Sequence, residues 1–191
     1  MVTHQDAFAA YLESLRDGLD NKYMASWRVL STADFGLPQN RPRLYIIGIK
    51  RVVLQGRQLP PFRWPRSVGC VPLASVLESG QVRKQPRPGT VAEKNLHMLQ
   101  RRLAENKTNN VASTPVALDI FVAKCRFMVG KVPCLTRTRA GNCGYWITRV
   151  IGLLTTRDMP RLQGLPECLI KIAKTAGISE RQLCQMIGNA M

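Results

Sequence analysis

Between Val52 and about Gly89 no hydrophobic period survives for more than a few residues; the segment is a run of Pro, Gly, Gln and Arg. Such a stretch reads as loop-rich, extended and basic, while the sequence on either side is patterned. That contrast does most to limit the fold. Helices and strands at both ends with an unpatterned middle describe an α/β body carrying a loop-rich insertion. No internal repeat or low-complexity tract points to a solenoid or a disordered array.

The ends can be read element by element. Thr3-His-Gln-Asp6 has capping-box form, and Phe8, Leu12, Leu15 and Leu19 follow at helical spacing, which predicts an amphipathic helix ending near Gly18 to Asn21. Trp27 to Ser31 reads as a short strand, and Asp34 to Pro38 as a turn. Leu44 to Ile49, apolar on both faces, reads as an interior strand. Beyond the unpatterned stretch, Thr90-Val-Ala-Glu93 caps a helix to about Asn106 with Leu96, Leu99 and Leu103 on its apolar side. Ser113 to Met128 fits either a helix or a pair of strands: Pro115 suits a first helical turn, whereas Val116, Ile120, Phe121 and Val122 favour β structure. Thr155 to Asp158 and Ser179 to Gln182 cap two short helices that stop near Gly164 and at Gly188.

At 191 residues and 45% hydrophobic, the chain suits one ordinary domain or two small ones that lean on each other. No charged-then-apolar segment follows Met1, and no apolar run reaches the roughly 18 residues of a membrane helix. The expectation is a soluble intracellular protein without a membrane partner, nuclear if eukaryotic and cytoplasmic if bacterial or viral. Six cysteines form no Cys-x-x-Cys pair and only His4 and His97 could assist them, so no metal site is expected and the thiols read as free. Two histidines also disfavour a triad hydrolase.

Charge is unevenly spread. Residues 1–40 hold three basic and five acidic groups, whereas residues 41–102 hold 13 basic and two acidic ones, so +11 of the net +16 lies in that window. A polyanion, nucleic acid above all, is the natural partner, because each Lys or Arg near a phosphate releases condensed counterions.

Within this chain Asp34-Phe-Gly-x-Pro-Gln39-x-Arg41-x-Arg43 precedes an apolar strand, Leu154-Thr-x-Arg157-Asp158-x-x-Arg161-Leu-Gln-Gly164-Leu-Pro166 lies near its end, and Ile187-Gly-Asn-Ala190 closes it. In that order they resemble the Gln-x-Arg-x-Arg, ninth and tenth motifs of the DNA (cytosine-5) methyltransferases. Pro133-Cys-Leu-Thr136 through Gly144-Tyr-Trp-Ile147 is similar to the segment that closes that family's target-recognition domain. The resemblance covers essentially the whole chain and is weakest over residues 52–130.

The resemblance implies the carboxy-terminal portion of a Rossmann-like S-adenosylmethionine-dependent methyltransferase domain. Residues 1–51 would be the tail of the α/β catalytic domain, 52–147 an inserted target-recognition domain, and 148–191 the return to the catalytic domain. The family's Phe-x-Gly-x-Gly cofactor loop, Pro-Cys-Gln nucleophile and Glu-Asn-Val motif do not occur here. Pro133-Cys134-Leu135 lacks the Gln and follows the Gln-x-Arg-x-Arg motif instead of preceding it, so no catalytic nucleophile is assigned. Pro160 is expected to strain the first turns of the ninth-motif helix.

The chemistry explains the motif. Methylation at cytosine C5 needs a thiolate at C6, after which negative charge develops on the N3 and O2 side of the ring, where a guanidinium stabilises it. The base must leave the duplex stack for this, and Gln39, Arg41 and Arg43, at spacing two on an extended segment, share one side and would line an edge of its pocket. A salt-bridged start to a strand would have the same sequence. The resemblance places Arg43 nearest O2 and makes Arg41 a helper. It puts Gly188 and Asn189 beside S-adenosylmethionine, bound only with the missing amino-terminal half, although Gly-Asn is also an ordinary helix end. Thr155, Arg157 and Asp158 read as structural support. Trp64, Tyr145 and Trp146 could stack on bases but read as packing.

The chain is thus expected to be a DNA-contacting fragment and not a complete enzyme, with a separate polypeptide carrying the Pro-Cys-Gln half as one partner. The rival readings are a non-catalytic DNA-binding or regulatory subunit, half of a split methyltransferase, and a relative that methylates tRNA.

Overall fold

The computed structural model describes residues 4–18, 22–51, 62–80, 83–105 and 114–190. They fall into two compact units, residues 1–30 with 42–66 and residues 31–41 with 67–191.

In the first unit α1 (His4–Gly18) accompanies a two-stranded sheet of β1 (Tyr23–Ser31) and β4 (Pro42–Lys50). Leu12 is buried as its spacing predicts; Thr3, Leu15 and Leu19 lie outside the residues whose side chains are described. β4 departs from the expectation of an interior strand. Tyr45 and Ile46, which point to opposite faces, are 47% and 53% exposed. An apolar strand is buried on both sides only where a layer covers each face, and the exposure of these two residues shows neither face fully covered among the described residues. Trp64 packs edge-on against Phe62, with ring centroids 5.0 Å apart, and its Nε1 donates to Ser26 Oγ.

The second unit is organised by a four-stranded antiparallel sheet in the order β10-β9-β6-β7: β6 (Val116–Asp119), β7 (Arg126–Val129), β9 (Tyr145–Ile147) and β10 (Gly152–Leu153). The ambiguous segment after Ser113 is therefore the strand pair and not the helix. β6 is buried on both faces, pairing Leu118 with Trp146 and Ala117 with Ile147. One face, through Val116, Leu118, Ile120 and Trp146, meets Leu99, Leu96 and Leu103 of α3 (Val91–Glu105). Complete burial of a leucine such as Leu99 contributes about 1.5–3 kcal/mol. α3 begins as its sequence predicts, Glu93 N donating to Thr90 Oγ1, while the Glu93 carboxylate accepts from Gly89 N.

The opposite face, through Ala117, Tyr145 and Ile147, meets a helical layer that includes α4 (Arg137–Gly141), α5 (Asp158–Leu162), α6 (Cys168–Thr175) and α7 (Glu180–Asn189). Tyr145 and Trp146 are thus core residues. Pro160 is the third residue of α5, where its missing N–H would have had no intrahelical acceptor, so the expected strain does not arise. Among its described residues the unpatterned segment holds β5 (Gly69–Cys70), parallel to β2 (Phe35–Gly36), and the single turn α2 (Leu73–Val76). No helix among the described residues is long and apolar enough to cross a membrane.

Candidate functional site

β3 (Gln39–Asn40) runs parallel to β8 (Val132–Pro133), Gln39 opposite Val132 and Asn40 opposite Pro133, which seats the Gln-x-Arg segment beside Pro133 to Thr136. Gln39 is fully buried. Its backbone carbonyl accepts from Thr32 Oγ1 at 2.7 Å, but neither amide atom of its side chain has a hydrogen-bond partner among the described residues. Burying an amide in that condition costs about 1–3 kcal/mol, so stability alone would favour an apolar residue there.

Arg41 is 3% exposed, and its guanidinium donates to the carbonyls of Leu135, at 3.2 Å, and Ala190. Residues 39–41, 133–136 and 187–190, distant in sequence, therefore meet around one cation. Arg43 belongs to the other unit, half-buried at the start of β4, with Nη1 donating to the Pro42 carbonyl at 2.8 Å.

Ser179 and Gln182 form a complete capping box at the start of α7, which runs through Gly188 to Asn189. Gly188 is thus inside the last turn and does not terminate the helix. A Cβ on Gly188 would lie 2.7 Å from the Thr136 carbonyl oxygen and 2.8 Å from Arg137 N, so the glycine allows α7 to rest on the backbone at the start of α4. Asn189, next to it, is exposed. Gln163 Nε2 donates to the Ile187 carbonyl. Cys184, on the inner side of α7, is 2% exposed, and burial pushes its thiol up to about 11.

Asp158 is the most heavily bonded side chain of the ninth-motif segment. Its carboxylate accepts from Thr155 N (2.8 Å) and Oγ1 (2.9 Å), from Glu78 N (2.8 Å), and from Arg83 Nη1 (2.6 Å) and Nη2 (3.4 Å). Arg83 also donates to the carbonyls of Glu78 and Leu153, so one buried ion pair pins Glu78 and Arg83 to the start of α5. Arg157 makes the exposed pair with Glu78 at 2.8 Å. Sequence reasoning missed Arg83. In a segment rich in basic residues nothing distinguishes an arginine that goes inside from those that face solvent.

Arg41 and Arg83 are both buried, so two of the 13 basic groups that motivated a polyanion partner are spent within the protein. Cys134 is half-buried, and its carbonyl accepts from Tyr145 OH at 2.9 Å. No cluster of three or more His, Cys, Asp or Glu among the described residues could hold a metal ion.

The family profile described as C-5 cytosine-specific DNA methylase matches residues 1–191. The chain is 30% identical over 171 residues to Type II methyltransferase M.NgoBI of Neisseria gonorrhoeae, an alignment spanning 87% of this chain and 48% of that protein. It is 28% identical over 154 residues to Type II methyltransferase M.HaeII of Haemophilus aegyptius (76% of this chain, 41% of that protein). It is 42% identical over 66 residues to Type II methyltransferase M.NaeI of Lentzea aerocolonigenes (34% and 15%). The chain spans about half or less of the length of these curated relatives.

Proposed function

The chain belongs to the C-5 cytosine-specific DNA methylase family, and from that premise we infer that its 191 residues form the carboxy-terminal, DNA-recognising part of such an enzyme. The observation that carries this reading is the convergence on Arg41. The Gln-x-Arg segment, the segment around Leu135 and the end of the tenth motif are joined by one buried guanidinium, two residues after Gln39, whose buried amide is unpartnered among the described residues. A polar edge held this rigidly suits a pocket for an extruded base.

In this reading residues 1–51 and 148–191 belong to the Rossmann-like catalytic domain and residues 52–147 to the target-recognition domain. Arg43 is the donor toward cytosine O2, Arg41 holds together the segments that carry Gln39, and Gln39 keeps its buried amide unpartnered among the described residues and open to a ligand. S-adenosylmethionine, when bound, supplies the methyl group. Gly188 is already occupied by the Thr136 backbone, so Asn189 is the residue at the end of α7 left to meet the cofactor. The nucleophilic thiolate and the main cofactor loop come from outside these residues, since neither motif occurs among them. Thr155, Arg157 and Asp158 support the site and do not touch the base.

The test is to incubate the isolated chain with S-adenosylmethionine and cytosine-containing duplex DNA while titrating salt. The expected result is binding without 5-methylcytosine formation. If about six basic groups meet phosphates, log affinity falls against log salt with a slope of roughly −5. Production of 5-methylcytosine by the chain alone, lost in Cys134→Ser, would overturn the reading. So would the absence of any salt-dependent interaction with duplex DNA.

A further inference from the structure

Asp119, Phe121, Arg139 and Gly144 form a constellation that the chemistry above does not use. Asp119 ends β6 with its carboxylate divided between two tasks. Oδ1 accepts from Phe121 N at 3.0 Å, which shapes the turn carrying that ring, and Oδ2 accepts from Arg139 Nε at 3.0 Å. The Arg139 guanidinium carbon lies 5.6 Å from the centroid of the Phe121 ring, within range for a cation–π contact. The ring is itself seated on Gly144, where a Cβ would come within 2.9 Å of Phe121 Cδ2. Phe121 is nevertheless 47% exposed.

The guanidinium is therefore fixed twice, in position by Asp119 and against the ring by Phe121. The ion pair consumes only Nε, and among the described residues neither Nη1 nor Nη2 has a hydrogen-bond partner. With 24% of its side chain exposed, Arg139 can still be reached from solvent. Phe121 is also a wall of a groove of about 860 Å³ whose other lining residues include Lys84, Arg87 and Asn142. The groove thus combines two basic lining residues, which suit phosphates, with a pre-oriented fork of donors against its Phe121 wall.

We propose that Arg139 reads a guanine in the DNA target, its two free terminal nitrogens donating to O6 and N7 from the major groove. This rests on the reading of the chain as the DNA-recognising part of a methyltransferase, and adds which residue discriminates and which base it selects. A guanidinium held by a carboxylate loses little rotamer freedom when it docks, and the bidentate arginine–guanine pair is the commonest specific contact in major-groove recognition. The carboxylate of Asp119 orients the fork and does not itself face the base.

The experiment selects duplexes from a randomised pool with the full 191-residue chain, then measures affinity for the selected site with each guanine replaced in turn by 7-deazaguanine, which lacks the N7 acceptor. The parent chain should show one guanine whose replacement weakens binding by about 5- to 100-fold. Arg139→Ala should abolish that sensitivity while leaving binding to unrelated duplexes nearly unchanged. Arg139→Lys keeps a cation beside Asp119 and guards against misfolding; it should bind unrelated duplexes like the parent and, because lysine can also donate to guanine O6 and N7, retain part of the discrimination that alanine loses. Undiminished 7-deazaguanine sensitivity in Arg139→Ala overturns the assignment of Arg139, as does duplex binding by the parent without any guanine preference. Absence of duplex binding altogether would instead sink the DNA-recognising reading on which the assignment rests.

Discussion

Asp158→Asn keeps the shape of the side chain and removes its charge, which isolates the buried ion pair with Arg83. Both side chains are essentially inaccessible, at 0% and 1% exposure, and the carboxylate is the ionic partner of the guanidinium at 2.6 Å. Exposed pairs contribute about 0–1 kcal/mol because water screens them, but removing one member of a buried pair strands an uncompensated charge and costs about 3–5 kcal/mol. The carboxamide would also turn its NH2 toward donors, since Thr155 N, Thr155 Oγ1 and Glu78 N all point at this carboxylate. For a domain of this size each kcal/mol corresponds to about 2–4 °C in Tm, so the expected fall is about 6–20 °C. Thermal unfolding followed by circular dichroism measures it. A double-mutant cycle with Arg83→Met then tests the cause, because deleting the stranded guanidinium should recover part of the loss and give a coupling above about 1 kcal/mol. A Tm fall under about 2 °C, or strict additivity in the cycle, would refute the argument that this pair anchors Glu78 and Arg83 to α5.

Two further outcomes follow from α7. Gly188→Ala should lower Tm even though alanine is the better helix former by about 1 kcal/mol, because its Cβ would meet the backbone of Thr136 and Arg137 at 2.7–2.8 Å, where no side chain can swing aside; an unchanged or raised Tm contradicts the close-packing argument. The buried Cys184 thiol, raised from 9.0 to about 11, ionises less readily folded than unfolded, so its contribution to stability is complete below pH 9 and is lost as pH rises toward 11. Urea midpoints measured from pH 8 to pH 11 should fall more steeply for the parent than for Cys184→Ala, with a difference of the order of 2–3 kcal/mol across the window; parallel curves would show that another group carries the pH dependence.

Elements were legible wherever a local signal was complete. Ser179 and Gln182 announce α7 because the capping box is made by residues three apart, and Thr90 with Glu93 announces α3 for a similar reason. α6 gave no such notice: its N-cap position is Glu167, which makes no side-chain cap, and only Ala173 of the helix is buried while Ile172 is 58% exposed. The segment after Ser113 was undecided because its local preferences conflict, and pairing with β7 and β9 resolved the conflict. In β4 the apolar pattern indicated a strand correctly but implied burial on both faces, which needs a covering layer on each that no local pattern can supply.

What the sequence alone determined was the order of motifs, the uneven charge and the residue types available for chemistry, all properties that need only neighbours along the chain. Which arginine serves which purpose was decided in three dimensions. Arg41, Arg83 and Arg139 carry the same charge and the same donors, and no local pattern separates them. Folding buries the first against two backbone carbonyls, pairs the second with Asp158 beneath the surface, and leaves the third half-open over Phe121 with one nitrogen engaged. The physical reason is that a guanidinium's role depends on which acceptors surround it and whether water reaches it. Both are set by segments as much as 149 residues away in sequence, as the bond from Arg41 to Ala190 illustrates.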